Sequence, residues 1–378
     1  MKTVEIFWHF FLLGLVSFGG PAAHIGYFRT TFVVRLRWIE DAAYGRLIAL
    51  SQFLPGPGSS QIGFAIGLER AGMVGGIAAF IGFTLPSFLL MYTLALVVFE
   101  PTDIFSGMIH GLKLFAVVVV ADAVVGMYRN FCTAHTTTTV AVISAAALWL
   151  FPSVGTQIGV LILAALFGLW AIPAVTIPKK QTTIRISYPP LIVFTLLFLG
   201  LPFLADTSAW MSLFNTFFQS GSLVFGGGHV VLPLLQQSLG DAISTERFLF
   251  GYALAQAVPG PMFSFATFLG ADLSPASPLI GALVATLAIF LPGFLLVLGL
   301  YRGWEALSQR PRIAGAIAGL NAAVVGILLA ALYDPVFTSS VASTTDMALV
   351  IVGFFLLRAL KLPVVGLLPF FALIGIFL

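Results

Sequence analysis

Charged residues are scarce in this sequence. Only 8% of its 378 residues are Asp, Glu, Lys or Arg, whereas 60% are hydrophobic. A soluble domain averages about 25% charged and 45–50% apolar residues. The shortage of charge therefore excludes a soluble enzyme and a disordered chain. The net charge of +3 comes from 17 basic and 14 acidic residues, mostly at the edges of apolar runs, which also excludes a nucleic-acid-binding protein.

Several chemical motifs are missing as well. The single cysteine, Cys132, excludes a disulfide framework and a cysteine-rich metal site. His, Asp and Glu do not cluster at metal-binding spacing, and there is no Walker-type phosphate loop for ATP-driven pumping. A membrane-embedded enzyme would need a nucleophile or a carboxylate pair, and Asp122 alone is too little. We therefore predict no enzymatic activity, no cofactor and no bound metal.

What the chain has instead is a series of long apolar runs. A membrane-spanning helix needs about 20 mostly apolar residues. Charge-free runs cover residues 71–99, 186–205, 248–271, 273–301 and 313–333. The run 130–178 is expected to form two short helices around Pro152 and Gly155. Residues 2–18 are expected to form the first membrane segment rather than a signal peptide. The pattern predicts an all-α integral membrane protein of about 10–13 hydrophobic segments.

The sequence also repeats itself. A shift of 204 to 208 residues aligns four unusual segments in the same order. The pairs are 18–21 with 225–228, 52–57 with 256–261, 85–90 with 291–296, and 111–113 with 319–321. This order indicates an internal duplication. We predict a first repeat at 1–180, a second repeat at 208–378, and a linker at 181–207 that holds one additional transmembrane helix.

Loop charges indicate that the two repeats are inverted. Basic residues favour the cytoplasmic side of a membrane. The loops near residues 100, 129 and 152 differ in basic charge from their counterparts at 302–312, 334–346 and 358–361. The additional helix supplies the single crossing that inversion requires. This topology places the N-terminus in the cytoplasm and the C-terminus outside.

One stretch fits a simple series of crossings poorly. Four arginines should be cytoplasmic, yet full crossings by the adjacent segments would place them outside. They are Arg29, Arg35, Arg37 and Arg46. Re-entry resolves the conflict if each segment is a pair of half-helices that turns back at its break. Cysteine-accessibility labelling tests this hypothesis, because re-entry puts position 35 inside and position 241 outside.

The two Pro-Gly-Pro breaks predict a substrate site. Pro and Gly at 55–58 cannot continue a helix, so a new helix is expected to begin near Ser59 and leave N–H groups unpaired. Such a helix N-terminus favours anions. Residues 259–261 offer the same arrangement. The alternative is that these Gly and Pro residues serve only close helix packing.

The predicted substrate-binding residues are the breaks, the polar residues beside them and one position in the helix that follows in each repeat. In the first repeat they are Gly19, Gly20, His24, Gln52, Pro55, Gly56, Pro57, Gly58, Ser59, Ser60, Gln61 and Lys113. In the second repeat they are Gly226, Gly227, Gly228, His229, Gln256, Pro259, Gly260, Pro261, Ser264 and Asn321. The glycine pairs permit close backbone approach and are expected to bring His24 and His229 to the same level.

Lys113 lies deep inside the apolar run 104–127, where a lysine is costly and usually faces a cavity or a partner. Asp122 is nine residues away, half a helical turn out of phase, so the two do not pair on one helix. Lys113 is then available to attract an anion, the alternative being a bond to another helix. Asn321 at the matching position is uncharged, so the two repeats are not equivalent.

With these motifs in place, the sequence resembles the chromate ion transporter family in its long, two-domain form. The resemblance rests on Phe-Gly-Gly followed by His24, on the Gln-x-Leu-Pro-Gly-Pro signature at 52–57, on Leu-Pro-x-Phe-Leu-Leu at 85–90, and on the Gly-Leu-Asn segment at 319–326. It covers nearly the whole chain. It implies chromate export across the bacterial inner membrane, with resistance as the outcome and sulfate as a structural mimic. Lys113 departs from the Gly-Leu-Asn pattern of the second repeat.

Export agrees with electrostatics. Moving a dianion out of an inside-negative cell releases about 4.6 kcal/mol per 100 mV. Efflux can run on the membrane potential alone or with proton exchange, with His24 or His229 as the titrating group. The residues leave open a sulfate or other oxyanion carrier and a passive anion channel. The expected partners are chromate and the lipid bilayer, with no nucleic acid. A homodimer is compatible with the sequence, although no motif indicates one.

Overall fold

The computed structural model describes residues 2–97, 103–171, 186–225, 228–304 and 310–377. These residues form 16 α-helices joined by turns and short 3-10 or π-helical segments, and no strand occurs among them. The helices are α1 Lys2–Val16, α2 Gly20–Phe28, α3 Asp41–Phe53, α4 Gly58–Leu96, α5 Asp103–Phe131, α6 His135–Leu150, α7 Val154–Ala171, α8 Tyr188–Leu204, α9 Ala209–Leu223, α10 Val231–Leu239, α11 Thr245–Ala257, α12 Phe265–Asp272, α13 Pro278–Leu300, α14 Pro311–Ala331, α15 Thr344–Arg358 and α16 Val364–Gly375. The predicted all-α fold is confirmed.

The chain divides into two compact units, and each contains helices from both sequence repeats. Unit 1 comprises Met1–Val98, Arg185–Val231 and Leu254–Gly303. Unit 2 comprises Phe99–Ile184, Leu232–Ala253 and Trp304–Leu378. All four breaks therefore fall in or at the border of unit 1, whereas Lys113 and Asn321 fall in unit 2.

Five described helices are long and apolar enough to cross a membrane. They are Gly58–Leu96, Ser106–Phe131, Tyr188–Thr207, Pro278–Leu300 and Arg312–Phe337. The expected helices around Pro152 and in the run 186–205 are present as α6, α7 and α8. The run 248–271 is not one spanning helix, because α11 ends at Ala257 and α12 begins only at Phe265. Helix α1, with 15 residues, reaches about 22 Å, short of the roughly 30 Å hydrocarbon core.

Helix α4 is kinked into two arms that fold against each other. Its backbone leaves the helical region at Ala71 and Gly72. Gly67 and Gly75 lie so close across this turn that a Cβ on either would overlap the backbone oxygen of the other. Gly270 and Gly281 make the same approach between α12 and α13. Each repeat thus forms a helical hairpin whose close packing depends on a pair of glycines.

In unit 2, helices of one repeat pack against helices of the other repeat. Helix α5 packs on α16, and Gly111 meets the Phe371 backbone. Helix α14 packs on α7, and Gly319 meets the Ala164 backbone. Gly111 and Gly319, at matching positions of the two repeats, therefore each allow a helix of the other repeat to pack closely. This reciprocity agrees with the internal duplication that the sequence predicts.

The chain reverses direction at its first glycine break. The segment after the break returns along α1, because the Phe10 and Phe32 rings stack at 4.6 Å and the His9 and Trp38 rings meet at 5.4 Å. The guanidinium of Arg70 lies over the Trp38 ring at 5.0 Å from its centroid. Its Nη2 is 3.9 Å from the carboxylate of Glu5. The start of α1, the loop after α2 and the turn of α4 therefore meet at one end of unit 1.

Candidate anion-binding site

The breaks of the two repeats are joined by a reciprocal pair of hydrogen bonds. The Gly56 amide donates to the carbonyl of Val224 at 2.7 Å, and the Gly260 amide donates to the carbonyl of Ser17 at 2.9 Å. Ser17 and Val224 each come directly before a Phe-Gly-Gly motif. Each Pro-Gly-Pro break thus binds the glycine break of the other repeat. We call the residues around these two bonds the break cluster.

Gly56 and Gly260 are required at these positions by their backbone angles. Their φ values are +116° and +102°, in the region that side chains rarely adopt. Space is also limited, because a Cβ on Gly56 would lie 3.2 Å from the Gly293 Cα, and one on Gly260 would lie 3.0 Å from the Ser87 Oγ. The two hydrogen bonds therefore depend on glycine at both breaks.

His24 connects the first glycine break to the N-terminus of α4. Its Nε2 lies 3.1 Å from the Ser17 carbonyl oxygen, and its Nδ1 lies 3.1 Å from the Ser59 hydroxyl. Because a carbonyl only accepts, Nε2 carries a proton, and in the neutral ring Nδ1 accepts from Ser59. The ring is fully buried against Phe83. This arrangement fixes both the tautomer and the direction of the Ser59 hydroxyl.

Helix α4 begins at Gly58, directly after the prolines, as predicted. Its N-cap residue, Pro57, makes no side-chain capping bond. The first backbone N–H that donates to an intrahelical carbonyl is that of Gln61, which donates to the Pro57 carbonyl at 2.9 Å. The N–H groups of Gly58, Ser59 and Ser60 precede that first bond, so they have no intrahelical acceptor. They form the positive end of the helix dipole in a buried place.

Four buried polar atoms near this helix start have no hydrogen-bond partner among the described residues. They are Ser17 Oγ, Ser60 Oγ, Gln61 Oε1 and Thr84 Oγ1. Buried polar atoms usually have a hydrogen-bond partner. Where the protein supplies none, the usual partner is a ligand or a water molecule. The amide nitrogen of Gln61 is held, since it donates to the Pro55 carbonyl at 2.8 Å. Three hydroxyl donors thus remain for a bound group.

The break in the second repeat is less polar. Phe263 and Phe265 take the places of Ser59 and Gln61, by the same shift that aligns the two breaks. Ser264 is buried and corresponds to Ser60. His229 Nδ1 lies 3.4 Å from Gln256 Nε2, which donates to the Met262 sulfur at 2.9 Å. The donors are therefore concentrated on the first repeat.

The remaining predicted residues take different positions. Pro55, Pro57, Pro259, Pro261 and Gly228 are buried in or beside the breaks, and Gly20 is partly exposed. Gly19 and Gln52 are exposed, unlike Gln256, so the side chain of Gln52 does not join the buried cluster. Gly226 and Gly227 lie outside the described residues. Ser17, Thr84 and Ser87 were missed, although each is a small polar residue in or beside a charge-free apolar run.

Lys113 and Asn321 lie in unit 2, on α5 and α14, which pack together. Both are buried, at 8% and 7% exposure. The Lys113 ammonium is 3.9 Å from the Glu246 carboxylate, while Asn321 Oδ1 has no partner among the described residues. Asp122 accepts a 2.6 Å hydrogen bond from Arg358, which agrees with the prediction that it does not pair with Lys113.

Interrupted, glycine-packed helices from two repeats, with buried donors where they meet, define a multi-pass membrane transport protein rather than an enzyme. A family model described as "Chromate transporter" matches residues 4–169 and 211–376. The chain belongs to the chromate transporter family. The two matched segments follow the predicted duplication.

Curated relatives match along most of the chain. A chromate transport protein of Pseudomonas aeruginosa is 27% identical over 362 residues, covering 88% of this chain and 81% of the relative. A chromate transport protein of Cupriavidus metallidurans is 26% identical, covering 86% and 81%. An uncharacterized transporter of Methanocaldococcus jannaschii is 25% identical, covering 87% and 83%. No solved structure matches significantly.

Proposed function

We propose that the protein is a secondary transporter that exports chromate from the cytoplasm across the bacterial inner membrane, and that the break cluster binds the ion. The observation that carries this proposal is the reciprocal pair of hydrogen bonds, which holds the N-terminus of α4 beside buried hydroxyls. Repeat-built transporters bind their substrates at interrupted helices. The substrate is taken from the relatives that are named as chromate transport proteins.

The cluster offers neutral donors to a dianion. The first-turn N–H groups of α4 and the hydroxyls of Ser17, Ser60 and Thr84 suit the oxygen atoms of a tetrahedral oxyanion. Hydrogen bonds to an ionised acceptor are about twice as strong as neutral ones. Neutral donors also let the ion leave without breaking a salt bridge. Sulfate has the same shape and charge, so we expect it to compete.

We further propose that the repeats, 1–180 and 208–378, are inverted in the membrane and that their broken segments re-enter. The contacts of Trp38 with His9 and Arg70 support re-entry, because a full crossing would separate the loop after α2 from the start of α1. With the N-terminus in the cytoplasm, the arginine-rich loop is then cytoplasmic as well. Labelling of cysteines at positions 35 and 241 tests this topology.

Export is driven by the membrane potential, by proton exchange or by both. The outward passage of a dianion releases about 4.6 kcal/mol per 100 mV of inside-negative potential. The geometry favours His24 over His229 as the proton-binding group, because its Nδ1 faces Ser59 at the helix start. If Nδ1 takes a proton it becomes a donor, and the Ser59 hydroxyl is released to donate to the anion. Lys113 is assigned a role in attracting the oxyanion.

The decisive experiment is transport in proteoliposomes of the purified full-length chain. We expect radiolabelled chromate to move toward the positive side when a potassium gradient with valinomycin sets the potential, and excess sulfate to reduce the rate. Liposomes without protein and a Gly56→Ala variant are the controls. Reversing the potential at constant pH, then imposing a pH gradient at zero potential, separates the two driving forces.

Two outcomes would contradict the assigned substrate. Chromate movement equal to that of protein-free liposomes would remove the assigned substrate, and sulfate movement without chromate movement would replace it. Counterflow separates a carrier from a channel, because only a carrier is accelerated by unlabelled substrate on the opposite side. Absence of this acceleration, with potential-driven flux intact, would assign the protein as a channel.

A further inference from the structure

Unit 2 contains a polar cavity that the proposed chromate site does not use. Its volume is about 620 Å³. It lies among the ends of α6, α10 and α14 and the start of α7, all contributed by unit 2. A water molecule occupies about 30 Å³ of liquid, so the cavity has room for a ligand with its hydration shell.

Three glutamines line this cavity, and each has one buried amide atom without a hydrogen-bond partner among the described residues. Gln157, on the first turns of α7, is 2% exposed, and its Nε2 has no partner among the described residues. Oε1 of Gln236 and Oε1 of Gln237, on α10, are likewise buried and unpaired. A half-turn of the Gln157 amide would present its oxygen instead of its nitrogen. Unsatisfied amides on two helices around one cavity indicate a polar ligand.

The electrostatics of the cavity favour a cation. Asp241 and Asp334 line it and are exposed, and no Lys or Arg is among its described lining residues. Helix α6 ends there at Leu150, α10 passes into a 3-10 turn after Leu239, and α14 continues beyond Ala331 as the π-helical segment Leu332–Phe337. The C-terminal end of α6 carries a negative partial charge, whereas the Ala330 carbonyl of α14 already accepts from the Trp149 indole at 3.2 Å. The carboxylates of Asp241 and Asp334 would repel an oxyanion.

We propose that this cavity binds a hydrated divalent cation of the calcium type. Carboxylate, amide and backbone carbonyl oxygens together with water are the ligands that Ca²⁺ accepts in flexible geometry, whereas Mg²⁺ demands a compact octahedron. The sequence predicted no metal because it offered no cluster of His, Asp and Glu. The ligands of this site come from three separate stretches of the chain, around residues 157, 236–241 and 334.

The predicted topology agrees with an outward-facing site. Loop charge places the loops near 152 and 334 on the external side, because their counterparts near 358–361 and 129 carry the basic residues, and re-entry places position 241 there as well. The cavity brings these three stretches together. An external site would meet millimolar Ca²⁺, and extracellular calcium modules have dissociation constants on the order of 0.1–1 mM. We expect affinity in that range.

Calcium binding to the purified full-length protein in detergent tests this proposal without any transport measurement. We expect saturable ⁴⁵Ca²⁺ binding of one ion per chain in equilibrium dialysis, with Mg²⁺ and Na⁺ competing only at much higher concentration. Trp149 lines the cavity, so Ca²⁺ should also change the tryptophan fluorescence. Trp149→Phe should abolish the fluorescence change and leave the dialysis result intact.

Substitutions locate the site. The double variant Asp241→Asn/Asp334→Asn should weaken Ca²⁺ binding at least tenfold, and Gln157→Leu should weaken it severalfold. Asp206→Asn, an exposed carboxylate outside the cavity, is the matched control and should bind normally. Because Asp241 and Asp334 are exposed, their replacement should leave the folded protein intact. No saturable binding by the wild type at 10 mM Ca²⁺ would overturn the proposal, as would Na⁺ binding without Ca²⁺ or equal losses in the Asp206 variant.

Discussion

The two Pro-Gly-Pro breaks occupy equivalent positions but have different chemistry. Each is fixed by a glycine amide that donates to the other repeat, and both glycines have positive φ. Around the first break stand Ser59, Ser60 and Gln61, whereas the second break is followed by Phe263 and Phe265. Duplication therefore preserved the scaffold while donors were concentrated on one side. In the proposed site, the donors to the ion therefore come from the first repeat.

The largest effect should come from the glycines of the scaffold. Gly56→Ala adds the cost of a positive φ, about 1–2 kcal/mol, to a collision with the Gly293 backbone. Gly260→Ala would press on the Ser87 side chain at 3.0 Å and would meet the Phe83 carbonyl oxygen at 3.4 Å, an ordinary contact. We expect both variants to lose transport and to unfold at lower temperature, with Gly56→Ala the worse.

Thermal unfolding in detergent measures this difference. Adding Ser87→Gly should partly restore Gly260→Ala, because it removes the atoms that the new Cβ would meet. Gly56→Ala has no such remedy at Gly293, which already lacks a side chain, and its other near neighbour, Gln61 Nε2 at 3.1 Å, belongs to the proposed site. Equal stability of the two single variants would show that the breaks are packed alike.

The second-largest effect should come from the hydrogen-bond donors, which are concentrated on the first repeat. Ser60→Ala removes a buried hydroxyl proposed to bind the anion, and a hydrogen bond to a charged group contributes about 1.5–3 kcal/mol. Chromate affinity should therefore fall about tenfold to hundredfold. Ser264→Ala, at the matching position, should change it much less. Apparent KM in proteoliposomes gives the comparison, and equal losses would assign the site to both repeats.

A smaller effect is expected from the histidines. His24→Gln breaks the link between the Ser17 carbonyl and the Ser59 hydroxyl. We expect the pH dependence of transport to flatten in this variant, and the rate to fall severalfold. His229→Gln should keep the wild-type pH profile. A flattened profile in the His229 variant alone would move proton binding to the second repeat.

The smallest effect on transport should come from replacing Lys113, in unit 2. Lys113→Met removes a buried cation that is only 3.9 Å from a carboxylate, and we expect a few-fold rise in apparent KM for chromate. Asn321→Ala is the matched control in the second repeat and should leave KM near the wild-type value. Unchanged affinity in Lys113→Met would mean that this lysine serves packing alone.

Much of the fold could be predicted because the residues that end helices act locally. Pro and Gly break helices wherever they stand, so the start of α4 after residue 57 and the turn between α6 and α7 followed from residue type. Exposure was harder to predict. Gln52 and Gln256 match in the repeat, yet Gln52 is exposed while Gln256 is half-buried and contacts His229. A sequence motif specifies which residue stands at a position, but it does not specify which face of the helix is buried.

Partners distant in sequence could not be predicted. Asp122 binds Arg358 and His110 binds Asp346, each across 236 residues. No local pattern marks such pairs, because they depend on how helices from the two repeats are exchanged in unit 2. For the same reason the unpaired hydroxyls of Ser17 and Thr84 became visible only in the packed protein.

The sequence by itself determined that this is an all-helical membrane protein with a duplicated pattern of helix breaks, because charge content, apolar runs and Gly-Pro punctuation act locally. Only the tertiary structure decided that each break binds the break of the other repeat, and that both compact units draw on both repeats. The physical reason is that a hydrogen bond between Gly56 and Val224 depends on three-dimensional proximity, which composition and spacing along the chain do not specify.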